Sequence, residues 1–262
     1  MRLADRYDSF LFDIDGVLMR GEEAIPGAPE AVERLRAEGK PCVFMTNNSA
    51  RTPDEVAAGL SRVGIAASPG EVVTSAMATA DVLRRDRVAR AFVVGERGVR
   101  DALGDAGIEV IDGEPDEVDA VVVGWDRNAD YARLRRAALL VERGARLVAT
   151  NADAAFPAED GAWPGAGALL SVITVTTGAD AEVVGKPRPA MFLGARERAG
   201  ARQPLVIGDR LDTDIGGATA LGWDSLLVLT GITSTSDLEG ADVRPTYVGD
   251  DLSALYQDLP PM

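Results

Sequence analysis

Asp13 and Asp15 stand one residue apart at the end of an apolar run, Phe10-Leu11-Phe12-Asp13-Ile14-Asp15-Gly16-Val17-Leu18. Residues i and i+2 of an extended segment point the same way, so the two carboxylates come within a few ångströms of each other. At ~4 Å their repulsion amounts to ~4 kcal/mol for an effective dielectric of ~20. Such a pair calls for a cation or a shared proton, and Gly16 lets the backbone turn away directly after it. Taken alone, Asp-x-Asp-Gly is more often a solvated acidic turn after a strand. The rest of the chain has to decide between the two readings.

Three further stretches carry chemistry at the ends of apolar runs. Pro41-Cys42-Val43-Phe44-Met45 leads into Thr46-Asn47-Asn48-Ser49, a cluster of hydroxyls and amides; Val183-Val184 leads into Gly185-Lys186-Pro187; Leu205-Val206-Ile207 leads into Gly208-Asp209-Arg210-Leu211-Asp212-Thr213-Asp214. Each has a plain alternative. A lysine in a turn is usually solvated, acids ahead of a helix can be capping residues, and Thr-Asn-Asn can be turn chemistry. Four strand ends that together deliver paired acids, a hydroxyl with amides, a lysine and a further acid cluster are hard to ascribe to coincidence.

Several other chemistries fail on the residues. The chain has no histidine, which removes the Ser-His-Asp triad, a phosphohistidine route and any His-ligated metal. Gly185-Lys186 is not a nucleotide-binding Walker loop, since proline follows the lysine and no glycine stands five residues before Gly185. The position six after Cys42 is Asn48, so a cysteine phosphatase loop is absent, and no strand ends in Gly-x-Gly-x-x-Gly. Cys42 is the lone cysteine, read as a buried small hydrophobe.

The elements that must position these residues follow from the punctuation. A helix after Pro26-Gly27 and Pro29 buries Ala31, Val32 and Leu35 and ends at Gly39; another opens at Thr52-Pro53-Asp54-Glu55 as a capping box and stops at Gly64. Val72-Val73-Thr74 and a helix from Ser75 to about Arg85 complete a third βα unit. This alternation predicts a doubly wound parallel sheet covered by helices, with ligands beyond the carboxyl ends of its strands. Residues 80–181 read as an inserted, smaller α/β domain, with strands at 91–94, 120–123 and 146–149 and helices near 97–106 and 130–143. The core is then 1–79 and 182–262. The segment from Asn151 to Gly167 is read as a long Pro- and Gly-rich functional loop. Strands at 225–229 and 246–248 finish the core.

With 262 residues and 46% hydrophobic composition the chain can bury a large core. Its formal net charge of −15 disfavours nucleic acid or an anionic membrane as a partner. No apolar run approaches the ~18–20 residues of a membrane span, and the N-terminus lacks a signal-peptide core, so a cytoplasmic protein is expected. A homodimer is left open.

The set and order of Asp13-Ile14-Asp15-Gly16-Val17, Thr46-Asn47, Lys186-Pro187 and Gly208 to Asp214 resemble the four motifs of the haloacid dehalogenase superfamily. The Asp-x-Asp-Gly form is similar to its phosphatases and mutases. The large insert, with Thr46-Asn47-Asn48-Ser49, Thr150-Asn151-Ala152-Asp153 and Pro164-Gly165-Ala166-Gly167, resembles the NagD or nitrophenylphosphatase branch. That resemblance implies a Rossmann-like core with a mobile cap, and hydrolysis of a small phosphorylated metabolite through an aspartyl-phosphate. Asp13 would be the nucleophile and Asp15 the acid and then the base. Mg²⁺ would be held by the Asp13 carboxylate, the Asp15 backbone carbonyl and Asp209, with Asp214 orienting its waters. Thr46, Asn47 and Lys186 would hold the phosphoryl oxygens, and Asp212 has no assigned role. Asn151 and Asp153 of the cap are expected to read the alcohol, with a lean toward a glycerol phosphate. The rivals are a phosphomutase of the same superfamily and a non-enzymatic receiver-like phospho-acceptor.

Overall fold

Residues 1–158 and 160–262 are described by a computed structural model of the chain, which divides into two compact units. The first comprises Met1–Thr46, Pro53–Val73 and Lys186–Met262; the second comprises Asn47–Thr52 and Thr74–Gly185. In chain order the elements begin with β1 (Ser9–Asp13), the short pair β2 (Met19–Arg20) and β3 (Glu23–Ala24), α1 (Ala28–Ala37), β4 (Cys42–Thr46), α2 (Pro53–Arg62), β5 (Val72–Thr74) and α3 (Ser75–Arg85). Then come β6 (Arg90–Val94), α4 (Arg97–Asp105), β7 (Glu109–Ile111), β8 (Ala120–Val123), α5 (Tyr131–Glu142), β9 (Arg146–Ala149), β10 (Ala155–Ala158), β11 (Gly161–Pro164), α6 (Ala166–Thr177) and β12 (Glu182–Val183). The chain ends with α7 (Pro189–Ala199), β13 (Pro204–Gly208), α8 (Gly216–Ala220), β14 (Ser225–Val228) and β15 (Tyr247–Gly249).

The first unit holds a six-stranded sheet in the order β15-β14-β13-β1-β4-β5. β1 is flanked in parallel by β13 and β4, and all five of its residues are buried. A strand covered on both faces needs an unbroken apolar sequence, which Phe10-Leu11-Phe12 supplies. Phe10, Phe12, Phe44, Leu205, Ile207 and Leu226 pack with the helix residues Val32, Leu35 and Leu60 into one core. From β1 the chain builds outward through β4 and β5, then from β13 the other way through β14 and β15. The reversal therefore falls between β1 and β13, the place where doubly wound sheets open a crevice at the strands' carboxyl ends.

The second unit has a five-stranded parallel sheet, β12-β9-β8-β6-β7, with Phe92, Val121, Val123 and Leu147 packed against Leu140 of α5 and Ile173 of α6. Its edges lie at Thr74 and Gly185, outside the 80–181 read from the sequence. A boundary at 80 would cut through α3, which is one helix from Ser75 to Arg85, and Val183, read as part of the core, pairs with Ala149 in this second sheet.

One stretch differs from expectation, and the next forms a helix where the sequence reading assigned no element. The segment read as an irregular loop contains an antiparallel pair in which Phe156 faces Trp163; Glu159 lies outside the described residues. A two-stranded ribbon has only edge strands, where the missing donor of a proline is tolerated. The run that follows, Ala166–Thr177, is rich in β-branched residues yet forms α6. Packing of Leu170 and Ile173 on the sheet overrides the local preference, and the Thr176 and Thr177 hydroxyls donate to carbonyls one turn back. No helix among the described residues is long and apolar enough to cross a membrane.

Candidate functional site

Asp13 closes β1 and Asp209 directly follows β13, so the strand-order reversal brings both acids to one edge of the first unit's sheet. Lys186 completes the group. Its Nζ donates to Asp13 Oδ1 at 2.5 Å and to Asp214 Oδ1 at 2.6 Å, with only 4% of the residue exposed. Lys186 is thus buried between carboxylates and is not a solvated turn residue. Asp13, Asp209 and Asp214 each offer a carboxylate oxygen within 4.8 Å of the others.

Burial shapes the charges here. Removal from water raises the Asp13 pKa well above the ordinary carboxylate value; Lys186 opposes that rise, while the negative charges of Asp214, Asp209 and Asp15 add to it. Asp209 is pushed up to about 6, by burial first and by the Asp214 charge second. Burial works against the Lys186 ammonium, but Asp13 and Asp214 outweigh it and hold its pKa above the usual lysine value. Three acids against one cation leave the cluster short of positive charge.

Asp209 Oδ2 accepts the Ile232 N–H at 2.7 Å, whereas its buried Oδ1 has no hydrogen-bond partner among the described residues. A buried, unpartnered carboxylate oxygen is costly unless a cation satisfies it. The oxygen-only donor set of Asp13, Asp209 and Asp214 suits a hard divalent ion such as Mg²⁺. The backbone is shaped for the same purpose: a Cβ on Gly231 would fall 1.9 Å from Asp209 Oδ2, and one on Gly16, which has a φ of +85°, would fall 2.6 Å from it. The loop after β14 is therefore part of the site, with Thr230 Oγ1 donating to the Gly16 carbonyl at 2.6 Å. Sequence reasoning missed it. Its signal was a fifth strand end, Ser225–Val228, running into Thr230-Gly231.

The other core residues fall as follows. Asp15 is exposed just beyond Asp13, in a turn closed by the Gly16 N–H donating to the Met19 carbonyl at 2.8 Å. Thr46 is buried at the end of β4, one residue past Met45, which is in register with Asp13. Asp214 sits fully buried in a wide π turn over Leu211–Ile215 that leads into α8, and its Oδ2 accepts the Arg210 N–H at 3.3 Å. Asp212 points outward and pairs with the Arg210 guanidinium at 2.7 Å, which holds its pKa below the usual carboxylate value.

In the second unit, Asn47, Asn151 and Asp153 form a single cluster. Asn47 Nδ2 donates to Asp153 Oδ2 at 3.1 Å, and Asn151 Nδ2 donates to the Asn47 carbonyl at 2.7 Å. The hairpin of β10 and β11 is anchored close by in sequence: Phe156 stacks on Trp125 at 4.2 Å, and Trp125 Nε1 donates to the Pro164 carbonyl at 2.9 Å.

Comparison with known proteins agrees with this arrangement. A haloacid dehalogenase-like hydrolase family profile matches residues 10–109, and a HAD-like hydrolase profile matches residues 183–255. The chain is 39% identical over 260 residues to a D-glycerol 3-phosphate phosphatase of Mycobacterium tuberculosis, covering 98% of this chain and 73% of that protein. It is 37% identical over 257 residues to an acid sugar phosphatase of Staphylococcus aureus, covering 97% of this chain and 98% of the relative. The crystal structure of the mycobacterial glycerol phosphate phosphatase in complex with magnesium superposes with a TM-score of 0.94 at 39% identity, covering 98% of this chain and 79% of that one. NagD from E. coli K-12 superposes with a TM-score of 0.87 at 34% identity, covering 94% of this chain and 97% of that one.

Proposed function

This chain belongs to the haloacid dehalogenase-like hydrolases, and we propose that it is a Mg²⁺-dependent phosphatase of small phosphate monoesters working through an aspartyl-phosphate on Asp13. The observation that carries the reading is Lys186 buried between Asp13 and Asp214, in a cluster with Asp209, one oxygen of which has no hydrogen-bond partner among the described residues. Asp13, Asp209 and the Asp15 backbone carbonyl would hold the ion, and Asp214 would orient its waters. Bound Mg²⁺ supplies positive charge to the phosphoryl oxygens and to the acids themselves.

The chain's own groups divide the chemistry into two displacements. Asp13 attacks phosphorus through a carboxylate oxygen as the ester P–O bond breaks, and Asp15 gives a proton to the departing alcohol oxygen. A water then attacks the same phosphorus and gives a proton to Asp15, and the bond from phosphorus to Asp13 breaks, releasing inorganic phosphate. The exposure of Asp15 suits this exchange, because its carboxyl must meet both alcohol and water. Thr46, Asn47 and Lys186 are assigned to the phosphoryl oxygens. Lys186 also opposes the rise that burial and the neighbouring acids impose on the Asp13 pKa, and so favours the carboxylate that attacks.

The inserted unit acts in this reading as the cap that reads the alcohol. Two of the junctions between the units, after Thr46 and before Lys186, fall directly beside phosphoryl-binding residues in the sequence. A glycerol phosphate or a sugar phosphate is the favoured substrate, in line with the activities named for the mycobacterial and staphylococcal relatives. The test is a panel of phosphate monoesters with Mg²⁺, scored by released phosphate. Turnover of small polyol phosphates above that of nucleotides is expected, and no release from any ester would overturn the proposal. Transfer of phosphate to a second sugar position would show a mutase.

A further inference from the structure

Asn47, Asn151, Asp153 and Gly167 form a closed set of hydrogen bonds inside the second unit. Asn47 gives its side-chain amide to Asp153 Oδ2 at 3.1 Å, and its carbonyl accepts from Asn151 Nδ2 and from Ser75 Oγ, each at 2.7 Å. Asn151 is 4% exposed and uses both ends of its amide: Nδ2 on Asn47, and Oδ1 accepting the Asp153 N–H at 3.0 Å. The Asp153 carbonyl in turn accepts the Gly167 N–H at 2.9 Å. That approach needs a glycine, since a Cβ on residue 167 would fall 2.3 Å from the Ala152 carbonyl oxygen. The glycine-bearing stretch 164–167 therefore packs on the turn at 151–153, which is bonded to residue 47.

We infer that Asn151 and Asp153 are positioning residues that fix Asn47, the residue after Thr46, by its backbone carbonyl and its side-chain amide respectively, so that they set the strength of phosphoryl binding and not the choice of alcohol. Asn151, buried with its donor and its acceptor both engaged, has little left with which to read a substrate, and the half-buried Asp153 spends Oδ2 on the Asn47 amide. Fixing one residue by both its carbonyl and its side chain is also what a phosphoryl pocket needs, because small misplacements of its donors are expensive in rate. The selective contacts then fall to the hairpin of β10 and β11. The inference rests on the phosphatase reading above.

The experiment compares parent, Asp153→Ala, Asp153→Asn, Asn47→Ala and the Asn47→Ala/Asp153→Ala double variant. Readouts are kcat and KM on glycerol phosphate, a sugar phosphate and acetyl phosphate, Ki for inorganic phosphate, and Tm. Asp153→Ala is expected to lower kcat/KM by the same factor, about 10- to 100-fold, on all three substrates and to raise the phosphate Ki. Asp153→Asn, which keeps an acceptor for the Asn47 amide, is expected to recover most of that loss. The double variant should be no worse than Asn47→Ala alone, since both substitutions remove one contact. A changed ranking of the three substrates would overturn the inference, and so would a lowered Tm with an unaltered phosphate Ki. Failure of the underlying reading looks different, because the parent itself would then release no phosphate.

Discussion

Lys186 Nζ lies 2.5 Å from Asp13 Oδ1 although the two stand 173 positions apart in sequence, and the whole of the second unit is threaded between them. The pair couples the acid that ends the first strand to the residue with which the chain re-enters the first unit. The ionisation of Asp13 therefore depends on the chain returning to the first unit with Lys186 correctly placed.

Asp13→Asn should abolish turnover, by more than ~1000-fold, because a carboxamide cannot form an acyl phosphate. The fold should persist, since the amide can still accept from Lys186. Kinetics with Tm in parallel checks this, and retention of full activity would move the nucleophile elsewhere.

Asp15→Ala should slow alkyl phosphates by ~100-fold or more while sparing nitrophenyl phosphate, whose leaving group scarcely needs a proton. The comparison is a ratio of kcat values on the two substrates. Equal losses on both would remove Asp15 from the acid role.

Lys186→Met leaves three buried acids without their cation, a change that costs roughly 3–5 kcal/mol when a buried pair is broken. The variant should show a markedly lower Tm in chelator and a larger rise in Tm on adding Mg²⁺ than the parent shows. It should also lose phosphate affinity and kcat together. A lysine of no consequence would leave all three measurements at parental values.

Metal dependence should carry a pH signature set by Asp209, whose pKa is pushed up to about 6 from an ordinary 3.8. Between those two values the folded chain binds a proton that the unfolded chain does not, so ionised Asp209 disfavours the metal-free fold. In chelator, parent Tm relative to that of Asp209→Asn should rise as pH falls through about 6. Activity at limiting Mg²⁺ should fall over the same interval as protons compete for the carboxylate, and excess chelator should abolish it at any pH. A Tm difference flat across this window would remove the raised Asp209 pKa, and activity at limiting Mg²⁺ that is flat there would detach Asp209 from the metal.

Phe156→Ala should loosen the hairpin from Trp125 by removing a stacked ring at 4.2 Å. Ranking across phosphate esters is expected to change, while acetyl phosphate turnover stays close to parental. An unaltered ranking would move selectivity away from the hairpin.

The acids and the lysine were legible because each follows an apolar strand, and the strand order needed to gather them follows from βα alternation. Burial of Lys186 was not legible: nothing local to Gly185-Lys186-Pro187 reveals the two carboxylates that come from positions 13 and 214. Asp212 and Asp214 look alike in sequence, yet the π turn sends one outward to Arg210 and the other inward to Lys186. The helix over Ala166–Thr177 was hidden by its valines and threonines, whose local preference gives way only to packing on a sheet that the sequence does not display. Gly231 escaped notice because its reason for being glycine is a carboxylate 22 residues earlier.

The second unit is assembled from two separate pieces of chain, a six-residue loop from Asn47 to Thr52 and the long stretch from Thr74 to Gly185. Within it the loop is held by the Gly98 N–H on the Ala50 carbonyl at 2.9 Å, and the Trp125 N–H donates to Ser49 Oγ at 3.0 Å. The unit is therefore not a cassette that can be lifted out at one pair of cut sites. A chimaera that exchanges only 74–185 with a relative would graft a foreign body onto a native loop and mismatch those bonds. Transplanting both pieces together keeps them intact, so the natural unit of recombination in this chain is discontinuous.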